Sequence, residues 1–164
     1  RTMIILPYRV RLIENHFFEF SFDSEPEKDL TPDFEVFKTL SSAEQYFLAS
    51  IYNWDDGTKV LEWIIDSPKC DKGTAVMIFW LAEPDYYFNY SEETVDDSDR
   101  DIWQLLQKVI HKIRNKEFKR SLFAFNPDEN GYKTDWESAN GIWELPPDLI
   151  NGTSGLKPIA LRFK

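Results

Sequence analysis

Near the N-terminus apolar and polar residues alternate. Tyr8, Val10 and Leu12 alternate with Arg9 and Arg11, and Phe18, Phe20 and Phe22 alternate with Glu19 and Ser21. A period of two places each apolar set on one face of a strand, so 8–12 and 18–22 are predicted strands. Glu14, Asn15 and His16 then fall at a hairpin turn. The charged stretch 23–33, which holds Pro26 and Pro32, predicts a loop. From residue 41 the period lengthens. Ser41 and Glu44 have capping-box spacing ahead of a stripe of Phe47, Leu48, Ile51 and Tyr52. Val60, Leu61, Ile64 and Ile65 predict a second helix, ended by Pro68. Residues 75–82 are apolar throughout, and periodicity there cannot separate buried helix from buried strand. Asp71 as a cap and the Ala, Met and Leu content favour helix, stopped by Pro84.

The most regular pattern covers about 98–118. Ile102, Leu105, Leu106, Val109, Ile110 and Ile113 form one stripe, with Asp99 and Asp101 at its start and Lys112, Arg114 and Lys116 at its end. That charge order complements the helix dipole. Residues 121–125 predict a strand. Asn130-Gly131, Asn140-Gly141 and Asn151-Gly152 predict tight turns, and 158–163 a closing strand. The expected fold is α+β: a central bundle of about four helices with a small antiparallel sheet from N- and C-terminal strands. It forms a single domain over 1–164, with a strand region at 3–22, a helical core at 41–118, and a strand, turn-rich loop and closing strand at 119–164.

Composition narrows the function classes. The net charge is −10, and aromatic residues make up 16% of the chain. Such a field repels nucleic acid and anionic membrane and attracts a basic partner. Cys70 is the only cysteine, so no internal disulfide forms, which suits a reducing cytosol. No signal-peptide pattern opens the chain, and the longest apolar run is too short to span a bilayer. A cytoplasmic location is therefore expected, without nucleic-acid or membrane partners.

The candidate chemistry is sparse. Asp55 and Asp56 are adjacent and precede Gly57. Paired carboxylates can do acid–base work, but Gly57 can turn the chain and Asp56 can cap the helix that carries Val60 to Ile65. His16 falls at a turn and His111 on the polar side of its helix. Cys70 reads as a packed small residue. The segment 126–137 can be laid on a calcium-loop pattern, with Asn126, Asp128, Asn130, Gly131 and Glu137 on positions one, three, five, six and twelve. Asn at position one and Lys133 at position eight argue against a tight site. Asn89-Tyr90-Ser91 and Asn151-Gly152-Thr153 would be glycosylated only in a secreted eukaryotic protein. The expectation is no catalytic residue, no metal site and no cofactor.

Residues 83–101 form the most distinctive surface candidate. Eight acidic residues and one arginine are interleaved with Tyr86, Tyr87, Phe88 and Tyr90. Tyrosine offers large contact area at low entropic cost, and carboxylates around it steer a cationic partner. Tyr86, Tyr87, Tyr90, Glu92, Glu93, Asp96, Asp97 and Asp99 are the expected partner-binding residues. The other reading of the same stretch is a solvated linker whose aromatics fold back onto the core.

The helical centre also carries recognisable motifs. "SSAEQYFLASIYNWDDG" and "SPKCDKGTAVMIFWLAEPDYY", then "FNPDENGYKTDW" and "WELPPDL" followed by Gly155, resemble the bacterial domain of unknown function family numbered 4274. The resemblance spans about 41–155. It implies a bacterial cytosolic protein and carries over no catalytic residue. By analogy of type, small acidic bacterial proteins often serve as antitoxins or immunity proteins encoded beside a secreted toxin. An immunity protein that binds a basic toxin domain is the leading expectation. A hydrolase using Asp55, Asp56 or the acids of 128–137, and a non-catalytic accessory or scaffold protein, stand as alternatives.

Overall fold

Pro7 opens a helix where the alternating pattern predicted a strand. In the computed structural model, which describes residues 3–18, 32–132 and 143–163, α1 spans Pro7–Phe17 with Leu6 as its N-cap. Proline is favoured at a first helical position because its fixed φ suits the helix and its missing N–H is not needed there. Val10, Ile13 and Phe17 are the buried positions of α1. Their spacing is helical, and it runs straight through the expected turn at Glu14–His16. Five residues of alternation were too few to exclude it. The expected strand at 18–22 lies outside the described residues except for Phe18, which ends α1.

The α+β expectation with an antiparallel sheet is therefore corrected. The described residues are mostly helical, with one two-stranded sheet. Its strands, β1 (Met3–Ile5) and β2 (Pro158–Ala160), are parallel, with Ile4 opposite Ile159. Parallel strands cannot be joined by a hairpin and need a crossover; here the whole helical body lies between them in sequence. The expected closing strand at 158–163 is strand in its first half. Residues 121–125 form isolated bridges, Phe123 with Leu156 and Phe125 with Thr153, and no ladder.

The central helices follow their sequence signals. A short helix, α2 (Phe34–Lys38), is capped by Asp33. In α3 (Ser42–Ile51) the capping box is complete: Glu44 N–H donates to Ser41 Oγ at 3.2 Å and Ser41 N–H donates to Glu44 Oε1 at 2.9 Å. The same Glu44 carboxylate accepts from Arg9 Nε at 2.5 Å and Nη2 at 3.1 Å, which ties α1 to α3. Next come α4 (Lys59–Asp66) and α5 (Lys72–Leu81). Every residue from Gly73 to Trp80 is buried, so α5 is the central helix and had no polar face to reveal its period. It packs against α3, against α6 (Arg100–Arg114), and against α7 (Pro147–Asn151). Among the described residues no helix is long and apolar enough to cross a membrane.

One crossing locks the last part of the chain to this body. Asp71 is fully buried at the N-cap of α5. Its Oδ1 accepts from Gly73 N–H at 2.8 Å and Phe123 N–H at 3.2 Å, and its Oδ2 accepts from Leu122 N–H at 2.6 Å. Lys72 N–H also donates to Arg120 O at 2.8 Å. Thr153 closes the other side: its Oγ1 donates to Phe123 O at 2.7 Å and accepts from Phe125 N–H at 3.0 Å. The backbones approach so closely that a Cβ on Gly73 would lie 2.2 Å from Phe123 O. A side chain at 73 would force them apart.

Candidate functional site

The connection between α5 and α6 builds the acidic surface. Ala82 ends α5, and Glu83 takes a left-handed conformation with φ 57° that redirects the chain. Pro84 then starts a short 3₁₀ turn over Pro84–Tyr86. This turn separates residues that look alike in sequence. Tyr86 is 57% exposed, whereas Tyr87 is 7% exposed and belongs to the core. The two rings meet edge to face at 4.8 Å, and Tyr90 lies 6.4 Å from Tyr86.

The loop after Tyr90 is held by groups that the sequence pattern did not single out. The Tyr90 carbonyl accepts from two indoles, Trp103 Nε1 at 3.0 Å and Trp143 Nε1 at 3.1 Å. Arg100 reaches back with Nη1 on Glu92 O at 3.0 Å, and Nη2 on Val95 O at 3.3 Å and Asp97 Oδ1 at 3.2 Å. Val95 is buried and anchors the loop between them. Glu92, Glu93, Asp96 and Asp97 remain exposed. Asp99 is half-buried and accepts from the Tyr86 hydroxyl at 3.3 Å. The charge of Asp99 and this bond hold the Tyr86 phenol above its ordinary pKa. Its own backbone N–H and the Ser91 hydroxyl hold the Glu93 carboxyl below the usual range.

Of the eight residues expected to bind a partner, seven thus lie on or at the edge of one exposed loop. Tyr87 is the exception, because its ring is spent on the core. The alternative reading, a linker whose aromatics fold back onto the core, describes Tyr87, and Phe88 beside it is half-buried. Arg100, Trp103 and Trp143 are the supports that sequence reasoning missed. The i, i+3 spacing of Asp97 and Arg100 was a readable hint, whereas the two indole bonds need the fold.

The other candidates take structural places. Asp55 and Asp56 lie in a 3₁₀ turn, Trp54–Asp56, whose cap is Asn53; Asn53 Oδ1 accepts from Asp55 N–H at 3.1 Å. The expected role of Asp56 as cap of α4 is corrected. Gly57, with φ 88°, follows the turn, and Thr58 is the N-cap of α4, with no capping bond from its side chain. Asp56 Oδ2 is buried with no hydrogen-bond partner among the described residues, and burial together with Asp55 raises its carboxyl pKa. Beside it the Tyr52 phenol is pushed up to about 12, first by burial and then by Asp56, while its hydroxyl donates to Gly57 O at 2.8 Å.

Cys70 is buried, and burial followed by the charge of Asp71 pushes its thiol up, away from a reactive thiolate. His16 sits in the last turn of α1 rather than in a hairpin, and His111 is exposed on α6 beside Asn115. In the segment that can be laid on the calcium-loop pattern, Asn126 Oδ1 accepts from Asp128 and Glu129 N–H groups, and Gly131 has φ 81°. Its position twelve, Glu137, lies outside the described residues. Among the described residues no group of three or more His, Cys, Asp or Glu gathers to hold a metal.

No curated protein and no solved structure matches the chain. Residues 41–114, from the cap of α3 to the end of α6, match the model of the domain of unknown function DUF4274, the family that the sequence motifs resemble.

Proposed function

We propose that this protein works by binding rather than catalysis, and that it captures a basic protein partner on the loop between α5 and α6. The finer form of the proposal is an immunity protein that neutralises a secreted toxin in the bacterial cytosol. The observation that carries it is the loop itself. Four exposed carboxylates, Glu92, Glu93, Asp96 and Asp97, stand next to two exposed tyrosines, Tyr86 and Tyr90, on a backbone pinned by Arg100 and two indoles. A surface ordered before it meets its partner loses less entropy on binding. The chain's net charge of −10 adds long-range attraction for a cation-rich face. Two exposed tyrosines supply the anchors that such interfaces concentrate their energy on.

The test is co-expression with the toxin candidate encoded beside the gene, followed by association kinetics on the purified pair. Changing Glu92, Glu93, Asp96 and Asp97 together to Lys is expected to slow association and remove protection, with circular dichroism unchanged. The difference should narrow in high salt, because the Debye length falls from about 10 Å at 0.1 M to about 3 Å at 1 M. Tyr86→Ala or Tyr90→Ala is expected to speed dissociation, costing about 2 kcal/mol if the ring is a hot spot. A quadruple variant that still protects fully would move the partner elsewhere. Absence of any basic partner would end the immunity reading.

A further inference from the structure

The small sheet of β1 and β2 lies against α3 on one side and is bare on the other. Ile5 is buried, whereas Ile4 and its register partner Ile159 are exposed. The pairing runs on past the strands, because Leu161 N–H donates to Ile5 O at 3.0 Å. Exposed Leu6 and Leu161 therefore continue the outward row. Phe163 then meets α1, where Arg11 stands 4.9 Å from its ring centroid. Tyr8 is exposed one turn before Arg11. These six apolar side chains are between 40% and 61% exposed. Among the described residues eleven large apolar side chains are exposed, so more than half of them share this face.

Such a face does not suit water. Parallel sheets are ordinarily covered on both sides, and their strands then read as unbroken apolar runs. A sheet with one wet face takes a polar residue at every second position instead. Residues 3–6 and 158–161 follow the first pattern, with no polar residue in either. At their exposures the six side chains present about 600 Å², the upper end for the largest apolar patch of a monomer. No charge interrupts the row. Arg162, between Leu161 and Phe163, pairs with Glu14 of α1, and Arg11 lies on the Phe163 ring. Interfaces between identical subunits have apolar, charge-depleted centres of this kind.

We propose that this face packs on the same face of a second copy of the chain across a two-fold axis. Area and charge both favour that occupant. Two stacked faces bury about 1,200 Å² in total, the lower end of the range for a specific interface. A row without charges offers nothing to steer an ionic partner, whereas its own copy matches it in kind. A two-fold contact uses one patch twice and closes at the dimer. Tyr8 and Phe163 are its aromatic anchors, and the four aliphatic side chains fill its centre. The connection between α5 and α6 contributes no residue to this face, so the pairing is independent of the acidic loop.

The experiment is sedimentation equilibrium of the purified protein between about 1 and 100 µM. The expected mass rises to twice that of the chain and no further, and the dimer persists in about 1 M salt, where charge contacts are screened. Ile159→Glu with Phe163→Glu puts carboxylates into the apolar centre and should weaken association about a hundredfold or more, with circular dichroism unchanged. If that variant fails to fold, Tyr8→Glu on the exposed side of α1 decides, with the same loss expected. Tyr86→Ala, in the acidic loop, should leave the dimer as it is. A monomer at about 100 µM overturns the proposal and leaves the face to a different protein. So does a dimer that the face variants do not weaken, one that Tyr86→Ala or salt removes, or growth into species larger than two chains.

Discussion

Replacing Asp71 should do more damage than any other single carboxylate change in the described residues. Its two oxygens accept three backbone N–H bonds, from Gly73 within α5 and from Leu122 and Phe123, which lie about fifty residues on. Loss of an N-cap costs about 1 kcal/mol. A hydrogen bond to a charged group contributes about 1.5–3 kcal/mol, and a buried donor left alone costs more. Leu122 is 48% exposed, so water can replace part of its bond, whereas Phe123 is fully buried and its N–H has no such recourse. Counting Leu122 at the low end gives about 4 kcal/mol for Asp71→Ala, against a typical total stability of 5–15 kcal/mol. The assay is urea unfolding followed by tryptophan fluorescence. With a slope of about 2 kcal/mol per M, the midpoint should fall by about 2 M with the slope unchanged. Asp71→Asn keeps one good acceptor and should lose about half as much. Asp56→Ala is the control: that side chain caps nothing, and the change should stay within about 0.5 kcal/mol. An Asp71→Ala protein within about 1 kcal/mol of the parent would refute the idea that this carboxylate holds the two parts of the chain together.

Three further outcomes follow from the same geometry. Gly73→Ala places a Cβ 2.2 Å from Phe123 O and should cost about 3 kcal/mol or prevent folding, read from the same urea curves. Asp56 has a raised pKa, so its ionised form is disfavoured by folding. Asp56→Asn should therefore raise the urea midpoint at pH 7, and the gain should vanish as pH falls below the unfolded carboxylate pKa of about 4. Glu44 behaves in the opposite sense. Burial alone would raise its pKa, but hydrogen bonds from Arg9 and Ser41 outweigh it and the net shift is downward. Its contribution is present above the unfolded value of about 4.3 and is lost as pH falls through the lower folded value, so Glu44→Gln should remove that part of the acid destabilisation.

The sequence was legible where local rules decide. The capping box at Ser41 and Glu44, the stop at Pro68, the cap at Asp71 and the dipole-matched charges of α6 all act within one or two turns of helix. It misled where a short pattern fits two periods, as at 8–12, where Pro7 and the Val10, Ile13, Phe17 stripe decided for helix. It was silent where the partner lies far along the chain. Asp71 read correctly as a cap, but nothing nearby shows its second task on Leu122 and Phe123. In the acidic segment, four aromatic residues look equivalent until the left-handed Glu83 and the turn at Pro84 send Tyr87 inward and Tyr86 outward.

That division bears on where function resides. Several residues of the motifs that carry the family resemblance have structural tasks, whereas Tyr86, at the end of one motif, is exposed. Asn53 and Gly57 shape the turn before α4. Cys70 is packed, and Asp71 and Gly73 make the crossing with 122–125. Trp80 donates its indole N–H to Leu149 O at 2.8 Å and so fixes α7. The side chains of Cys70, Asp71 and Trp80 are buried, so no partner can touch them. The exposed carboxylates and tyrosines sit in the connection between α5 and α6, inside the matched segment yet outside those tasks. Surface substitutions there cost little stability, so the loop can change its charges and rings without unfolding the helices beneath it. A frame fixed by Asp71 and Gly73 that carries an alterable acidic loop is what a protein needs if it must match one particular partner. The same reasoning predicts that reversing the loop charges will leave the urea midpoint nearly unchanged, while Asp71→Ala lowers it by about 2 M.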